Sequence, residues 1–410
     1  MTDNAPSASS QSASPKIAII GGGLTGLFTA ALLEHAFAQF NNAATVAQIS
    51  IFEKSRSVGR LATRYRTDSE THKNWQWAFG AQFFTAKSAS FNAFIQPWLH
   101  AGLLQPWCAK VVELTPTNEA NEANKASTAN KESHAPNIDY KEQWDEGHAR
   151  YISTPKMTSL GRELADNLRH TRVHFQTHVA PLAQPSLQSL PKNSTQNPAK
   201  TQLFDDNGES LGHFDWVICT APNPQAARLF ADSGFSEQTK IMQPTMLACY
   251  TLMLGWDSVE TLPLTLRRNP QLAWDVAYIQ DSILDRAFIE QQKPAHDNLL
   301  PSVTIHARND WSEQHVDDNI DGIEGIKAQL VAAAKHALNW DEATAPSQVD
   351  CHRWRYASTV LNDKKDALGV LVDKEQQWIV SGDWCGQGNI ESGYQMAEQT
   401  VAVITAALNA

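Results

Sequence analysis

Three glycines, Gly21, Gly23 and Gly26, are spaced as G-x-G-x-x-G in the run GGGLTG. Such a run can cradle a pyrophosphate. The first glycine permits a tight turn, the second lets the backbone approach the anion, and the third lets a helix sit close to a strand. N–H groups at the mouth of the following helix, from Leu24 and Thr25 onward, are then free to donate to phosphate oxygens. The complementary group is a carboxylate further along, which can accept the hydroxyl hydrogens of an adenosine ribose. Glu53 stands in that position, 27 residues after Gly26, against the more usual ~20. The polar stretch 41–47 accounts for the difference.

A second stretch, WIVSGDWCGQGNIESGYQMAEQTVAVITAAL from Trp378, reads as a strand ending at Gly382-Asp383, a glycine-rich loop, and a helix opening near Ser392 and Gly393. A carboxylate beside a returning loop can hold the ribityl–phosphate region of a flavin dinucleotide. The helix dipole can stabilise negative charge on a reduced isoalloxazine ring. This second stretch favours FAD over NAD. Arg56, Arg60 and Arg64, in EKSRSVGRLATR, follow Glu53 closely enough to reach pyrophosphate or flavin edges. The expected cofactor contacts are Gly21, Gly23, Leu24, Thr25, Gly26, Glu53, Lys54, Arg60, Leu61, Gly382, Asp383 and Ile390.

The elements that must position these residues follow from periodicity. KIAII at 16–20 is a buried-strand run, LTGLFTAALLEHAFAQF is helical, and QISIFEK alternates up to Glu53, giving a βαβ unit over 16–54. MTSLGRELADNL sets Met157, Leu160, Leu164 and Leu168 on one helical face, and FDWVICT reads as a strand stopped by Ala221-Pro222. LACYTLMLGW, SVTIHA and WIVSG read as strands; IEGIKAQLVAAAKHAL and YQMAEQTVAVITAAL read as helices. The expected class is α/β, a Rossmann-type FAD-binding domain with a β-rich second substrate domain. The discontinuous FAD domain takes 16–75, about 150–230 and 360–410; the substrate domain takes about 76–149 and 231–359. Residues 1–15 read as a disordered polar leader, and 113–139 and 181–201, poor in apolar residues, as surface insertions.

Length and charge narrow the functions. A chain of 410 residues is long enough for two lobes with a buried site between elements. Its net charge of −11 disfavours nucleic acid and anionic membrane as partners, since both need a basic face. No run reaches the 18 or so apolar residues of a membrane span. The five cysteines show no CxxC spacing, so neither a zinc site nor a disulfide framework is expected. Reduced thiols and a cytoplasmic location follow, with no metal.

In IIGGGLTGL, EKSRSVGRLATR, GAQFFTAKSASF, ICTAPNPQAARLF, HARNDWSEQHV, HRWRYA and GDWCGQGNIESGYQMA, taken in order, the chain resembles renalase-type members of the FAD-dependent amine oxidase superfamily, the bacterial ones in particular. The resemblance covers most of the chain. It implies a two-lobed flavoprotein of the hydroxybenzoate-hydroxylase type. It also implies an oxidase that moves a hydride from isomeric dihydropyridine forms of NAD(P)H to flavin, then passes electrons to molecular oxygen with release of hydrogen peroxide. Two departures stand out: Val58-Gly59-Arg60 is one residue short of the family's glycine pair, and Ala78-Phe79 replaces an Asp-His pair.

A dihydropyridine gives up its hydride without deprotonation, so a shaped pocket matters more than an acid–base set. Candidate pocket residues are Gln82 and Phe83 from the family string, His306 and His352 in or beside expected strands, where a histidine can hydrogen-bond a carboxamide or phosphate of a substrate, and Trp354, expected to share a strand face with Tyr356 and to stack on a planar ligand. Three other functions compete: an amine oxidase with a paired aromatic cage, an NAD(P)H-dependent flavin monooxygenase, and a low-turnover flavin-binding redox sensor.

Overall fold

β1 (Lys16–Ile20) carries four consecutive buried apolar residues, as a strand covered on both faces must. In this computed structural model it lies at the centre of a parallel arrangement, with β2 (Gln48–Glu53) on one side and β12 (Trp216–Cys219) on the other. β9 (Thr171–Phe175) extends the sheet beyond β2, and β19 (Trp378–Val380) extends it beyond β12. Antiparallel β18 (Leu371–Asp373) completes the order β18-β19-β12-β1-β2-β9. The structure describes residues 14–39, 47–117, 135–182, 200–267, 273–296, 298–317, 322–360 and 367–409. Most of the 1–15 leader, most of the 41–47 connection and the middles of both expected insertions lie outside the described residues.

α1 (Leu24–Gln39) descends directly from the glycine turn. A methyl added at Gly26 would stand 2.1 Å from the carbonyl oxygen of Gly21, so glycine is what lets the helix approach the sheet so closely. Against α1 packs α7 (Ile390–Leu408), where a methyl on Gly393 would stand 2.6 Å from Thr25 Oγ1. α7 opens at Ile390, two residues before the expected start. Asn389 caps it, its side chain accepting the Ser392 N–H at 2.8 Å.

Rings of Phe28, Phe91, Phe94 and Tyr394 tie α1 and α7 to α2 (Ala89–His100). Sequence grouped α2 with the second lobe; its Phe91 and Ile95 share an apolar core with Ile17 and Leu27 of the first. α3 (Ser159–Asn167) buries Leu160 and Leu164, and α4 (Asn223–Leu229) follows β12.

The second sheet has seven strands in the order β17-β13-β16-β15-β14-β6-β7. These are β6 (Lys110–Thr115), β7 (Asn137–Gln143), β13 (Thr245–Gly255), β14 (Val276–Ile279), β15 (Leu284–Ile289), β16 (Ser302–Ala307) and β17 (Gln348–Val360). All neighbours are antiparallel except β14 and β6. α6 (Gly322–Leu338) covers the sheet through Ile326, Leu330, Ala334 and Leu338, and α5 (Asn309–His315) packs on β13. Three small ribbons complete the fold: β3 (Thr63–Thr67) with β4 (Asn74–Ala78), β5 (Leu104–Pro106) with β8 (Tyr151–Ser153), and β10 (Thr201–Phe204) with β11 (Ser210–Phe214).

The first expected insertion is shorter than 113–139. Glu113, Leu114 and Thr115 pair with Asp139, Ile138 and Asn137. β7 is an edge strand exposed along most of its length, and an exposed edge is polar for the same reason a loop is. Thr201, likewise, starts β10. Among the described residues no helix is long and apolar enough to cross a membrane. Nor does any group of three or more His, Cys, Asp or Glu among them suit a metal ion.

Candidate active site

Glu53 is buried at the end of β2, and its carboxylate accepts the Gly22 N–H at 2.7 Å and the Ser55 N–H at 2.8 Å. It thus holds the glycine turn in shape, and each oxygen keeps a second lone pair for a ribose hydroxyl. Gly21 adopts φ +116°, which disfavours any side chain there. Its chain neighbours aside, a methyl added at Gly23 would meet no atom of the described residues within 4 Å. Open space therefore lies over the turn, next to the N–H groups that begin α1.

The loop after β2 closes on the same spot. Gly59, at φ +65°, brings its Cβ direction within 3.0 Å of Gly23 Cα. Val58, just before it, is buried against α3, where a Cβ on Gly161 would stand 2.5 Å from Val58 Cγ2. Arg60 then donates through Nη2 to Asp383 Oδ1 at 2.6 Å and through Nη1 to the Ala357 carbonyl at 3.3 Å. That ion pair joins the first motif to the second. Gly388, at φ +71°, tucks under the end of β17, where a Cβ would stand 2.6 Å from Thr359 Cβ; Thr359 Oγ1 is buried with no hydrogen-bond partner among the described residues.

These features fit an FAD. The space over Gly23 and the N–H groups of α1 suit a pyrophosphate, Glu53 an adenosine ribose, and the orphan Thr359 hydroxyl with the start of α7 the flavin end. Of the residues expected from sequence, Gly21, Gly23, Leu24, Thr25, Gly26, Glu53, Arg60 and Asp383 gather around this turn. Leu61 is buried in the apolar core with Leu27, Gly382 is packed under the Trp384 ring, and Ile390 is the half-buried first residue of α7. Lys54 and Arg56 are exposed. Arg64 does not reach the turn: it lies over the Phe79 ring at 5.1 Å and against Asp350 at 3.4 Å, because β3 pairs with β4 and carries it onto the second sheet.

The chain crosses from the cofactor loops to the second lobe at Phe79, Gly80 and Ala81. Phe79 and Ala81 donate their N–H groups to the carbonyls of Ala62 and Arg60. A Cβ at Gly80 would stand 1.9 Å from the Arg60 carbonyl oxygen, so the two segments lie in direct contact. Phe79 stacks on Trp354 at 5.4 Å and 21°, and His352 meets both rings edge-on at 4.7 Å and 4.6 Å. Trp354 Nε1 donates to the Phe79 carbonyl at 2.7 Å. Trp354 and Tyr356 do not face the same surroundings. A bulge opposite Leu247 and Cys249 separates them, and Tyr356 packs against the first sheet's outer core with its hydroxyl near Arg228. Burial and the charges of Arg64 and Arg353 lower the His352 pKa to about 4.

Gln82 and His306 meet deeper in, Nε2 to Nε2 at 3.3 Å. Lys293 donates to Gln82 Oε1 at 2.8 Å and to Glu290 Oε2 at 2.9 Å, and both members of that ion pair are buried. Glu290 also accepts from the Ala78 N–H and the Thr304 hydroxyl. Burial lowers the Lys293 pKa against the pull of Glu290, and burial with Arg286 and Lys293 drives that of His306 to about 3. Phe83 turns away to the Trp144 ring at 4.8 Å. Sequence reasoning missed Glu290 and Lys293, and it singled out Phe79 only as a departure from the family string. A charged pair three residues apart, directly after the apolar triplet AFI at 287–289, was the available signal for both.

A cleft of about 640 Å³, lined by Trp107, Asp275, Gln292 and Lys293 among others, opens beside this network and contains none of the turn residues. It is open and largely polar, unlike the concave apolar sites that hold flat ligands.

Residues 19–96 match the family model for an NAD(P)-binding Rossmann-like domain. Over nearly its whole length the chain is similar to a protein assigned as protoporphyrinogen oxidase from Exiguobacterium sp. 255-15. The TM-score is 0.63 at 13% identity, covering 95% of this chain and 99% of that one. Wild-type putrescine oxidase bound to putrescine gives a TM-score of 0.60 at 12% identity, over 96% and 99%. A variant of that enzyme with redesigned cofactor binding gives 0.63 at 12%, over the same shares. At such identities the shared property is the fold: a Rossmann-type dinucleotide lobe joined to a β-rich lobe.

Proposed function

We propose that the protein is an FAD-dependent oxidoreductase of renalase-like type, which oxidises a dihydropyridine, an isomeric form of NADH or NADPH, at the expense of molecular oxygen. The balance is one dihydropyridine, one O2 and one proton giving one pyridinium and one H2O2. Bound FAD would supply the hydride acceptor and the donor of both electrons to oxygen. The protein's share is to hold the donor flat and exclude competing reactions. FAD would be held without a covalent bond; Cys385, two residues from Asp383, is buried, and burial raises its thiol pKa.

The observation that carries this reading is the wall of Phe79, Trp354 and His352 beside the cofactor loops, in which the histidine is neutral at working pH. Such a wall orients a planar donor. A positioned acid–base pair, which amine or hydroxyl substrates with a proton to lose would use, is not what the wall offers. Amine oxidation, suggested by the fold shared with putrescine oxidase, is the second reading. The Arg64 cation over Phe79 opposes it, because an ammonium would meet like charge there.

Anaerobic mixing of the FAD-loaded protein with 2- and 6-dihydro isomers of NADH and NADPH, ordinary NADPH, and amines tests the reading. Flavin bleaching should be much faster with the isomers, and H2O2 should form stoichiometrically on admitting air. Efficient bleaching by amines, with none by the isomers, would overturn it.

A further inference from the structure

Arg64 and Arg66 reach from β3 to one carboxylate, Asp350 of β17, at 3.4 Å and 3.1 Å. No other ion pair is made by either arginine among the described residues. Two guanidinium groups against one carboxylate leave a surplus of one positive charge. Arg64 and Asp350 are each about a quarter exposed, so the surplus is open to a ligand yet screened from bulk water on several sides. It borders the wall directly: Arg64 lies over the Phe79 ring, and His352 lies between Asp350 and Trp354 along β17. The depressed His352 pKa has Arg64 among its causes, a sign that the local field is positive.

We propose that Arg64, supported by Arg66, is a specificity-determining residue that receives an anionic group carried by the planar donor, a phosphate or a carboxylate. The inference rests on the reading of the wall as the donor's site and assigns the donor's charge. It is a pole separate from the cofactor's own phosphate site. Arg60 is held by the Ala357 carbonyl and by Asp383, whereas β3 carries Arg64 to Asp350 near the other end of β17. A guanidinium held by only part of a carboxylate's capacity can still give a bidentate pair to an incoming anion. Asp350 is then the competitor that the ligand must displace from Arg64, and the looser 3.4 Å contact is the one that yields.

Three probes separate the possibilities: reduced nicotinamide riboside, which is neutral; reduced nicotinamide mononucleotide, which adds a phosphate; and reduced nicotinic acid riboside, which adds a ring carboxylate. Binding to the FAD-loaded protein is measured anaerobically by calorimetry and by quenching of tryptophan emission. At least one anionic probe should bind about ten- to a hundredfold tighter than the neutral one, as a charged hydrogen-bonded pair provides. Which of them does so tells whether the anion is on the ribose or on the ring. Arg64→Leu should erase that advantage, and Arg64→Lys should restore part of it. Asp350→Asn should enlarge it several-fold, a gain that a poorly folded variant cannot imitate. Equal affinity for all three probes, no binding of any of them, or an advantage that survives Arg64→Leu would overturn the proposal. Flavin bleaching is recorded separately. A preparation that shows the affinity pattern without bleaching refutes the proposed reaction and leaves the anion site standing.

Discussion

Gly23 and Gly26 are three residues apart in one motif, yet the structure gives them opposite roles, and alanine at each separates those roles. At Gly26 the new methyl would stand 2.1 Å from the Gly21 carbonyl oxygen, far inside van der Waals contact. Helix α1 must move off the sheet, at a cost of about 1–3 kcal/mol or more in the FAD-free protein. At Gly23 the methyl meets, its chain neighbours aside, no atom of the described residues within 4 Å. The FAD-free protein should then change by no more than about 0.5 kcal/mol, or gain up to ~1 kcal/mol from the stiffer unfolded chain. The cost instead falls on the complex. A methyl intruding where the pyrophosphate lies costs about 1–3 kcal/mol of overpacking, or roughly five- to 150-fold in Kd. The assay is denaturant unfolding of the FAD-free proteins, followed by titration with FAD read by quenching of its fluorescence. If Gly23→Ala binds FAD as tightly as the wild type, the space over the turn is not the pyrophosphate site. If it unfolds as readily as Gly26→Ala, the stated geometry is wrong.

Glu53→Gln retains one acceptor for two N–H donors, so stability should fall by about 1–3 kcal/mol and FAD affinity by tenfold or more; wild-type affinity in the folded variant would misplace the ribose. Lys293→Met leaves Glu290 charged and buried and should cost about 3–5 kcal/mol, part of which the double variant Glu290→Gln/Lys293→Met should recover. A single variant as stable as the wild type to urea would contradict that. His306 and His352 have folded pKa values of about 3 and about 4, below the ordinary 6.5 of an unfolded chain. The unfolded chain takes up these protons first, so stability is full above about pH 6.5 and is lost as pH falls from there towards 4 and 3. Melting temperature across that window should fall less in His352→Gln than in the wild type, and parallel curves would refute the assignment.

The cofactor half of this site was legible because its signals are local. A glycine turn sits between an apolar run and a helix, and Glu53 ends the next strand; each is fixed by neighbours within about one βαβ unit. The wall was half legible. Trp354 was placed on a strand, but with Tyr356 as its same-face partner; the bulge in β17 separates those two, and Phe79 joined Trp354 and His352 through a chain crossing that periodicity does not encode. Lys293 and Gln82 are 211 positions apart, and no pattern in either segment announces the other. Arg64 shows how proximity in sequence can mislead. Its nearness to Glu53 suggested pyrophosphate or flavin edges, and the β3–β4 pairing carries it away from the glycine turn to the second sheet. The ends of the first insertion were misjudged because an edge strand and a loop have the same polar composition.

The close fit of Gly393 against Thr25 has a consequence for how the protein comes into being. The turn that would hold the pyrophosphate leaves the ribosome early, but Ile17 must wait 199 positions for its strand partner Trp216, and Thr25 must wait for Gly393. At ~5–20 residues per second that second wait lasts roughly 20–75 s. During the first wait, roughly 10–40 s at the same rate, β1 is an apolar strand lacking a neighbour on one side, a natural client for chaperones. FAD would load only after nearly all of α1's packing partners have been synthesised. Loading is then a late event governed by free FAD, and a cell short of riboflavin would accumulate the unloaded chain, whose stability lacks the contribution of the bound ligand and whose survival against proteases falls accordingly.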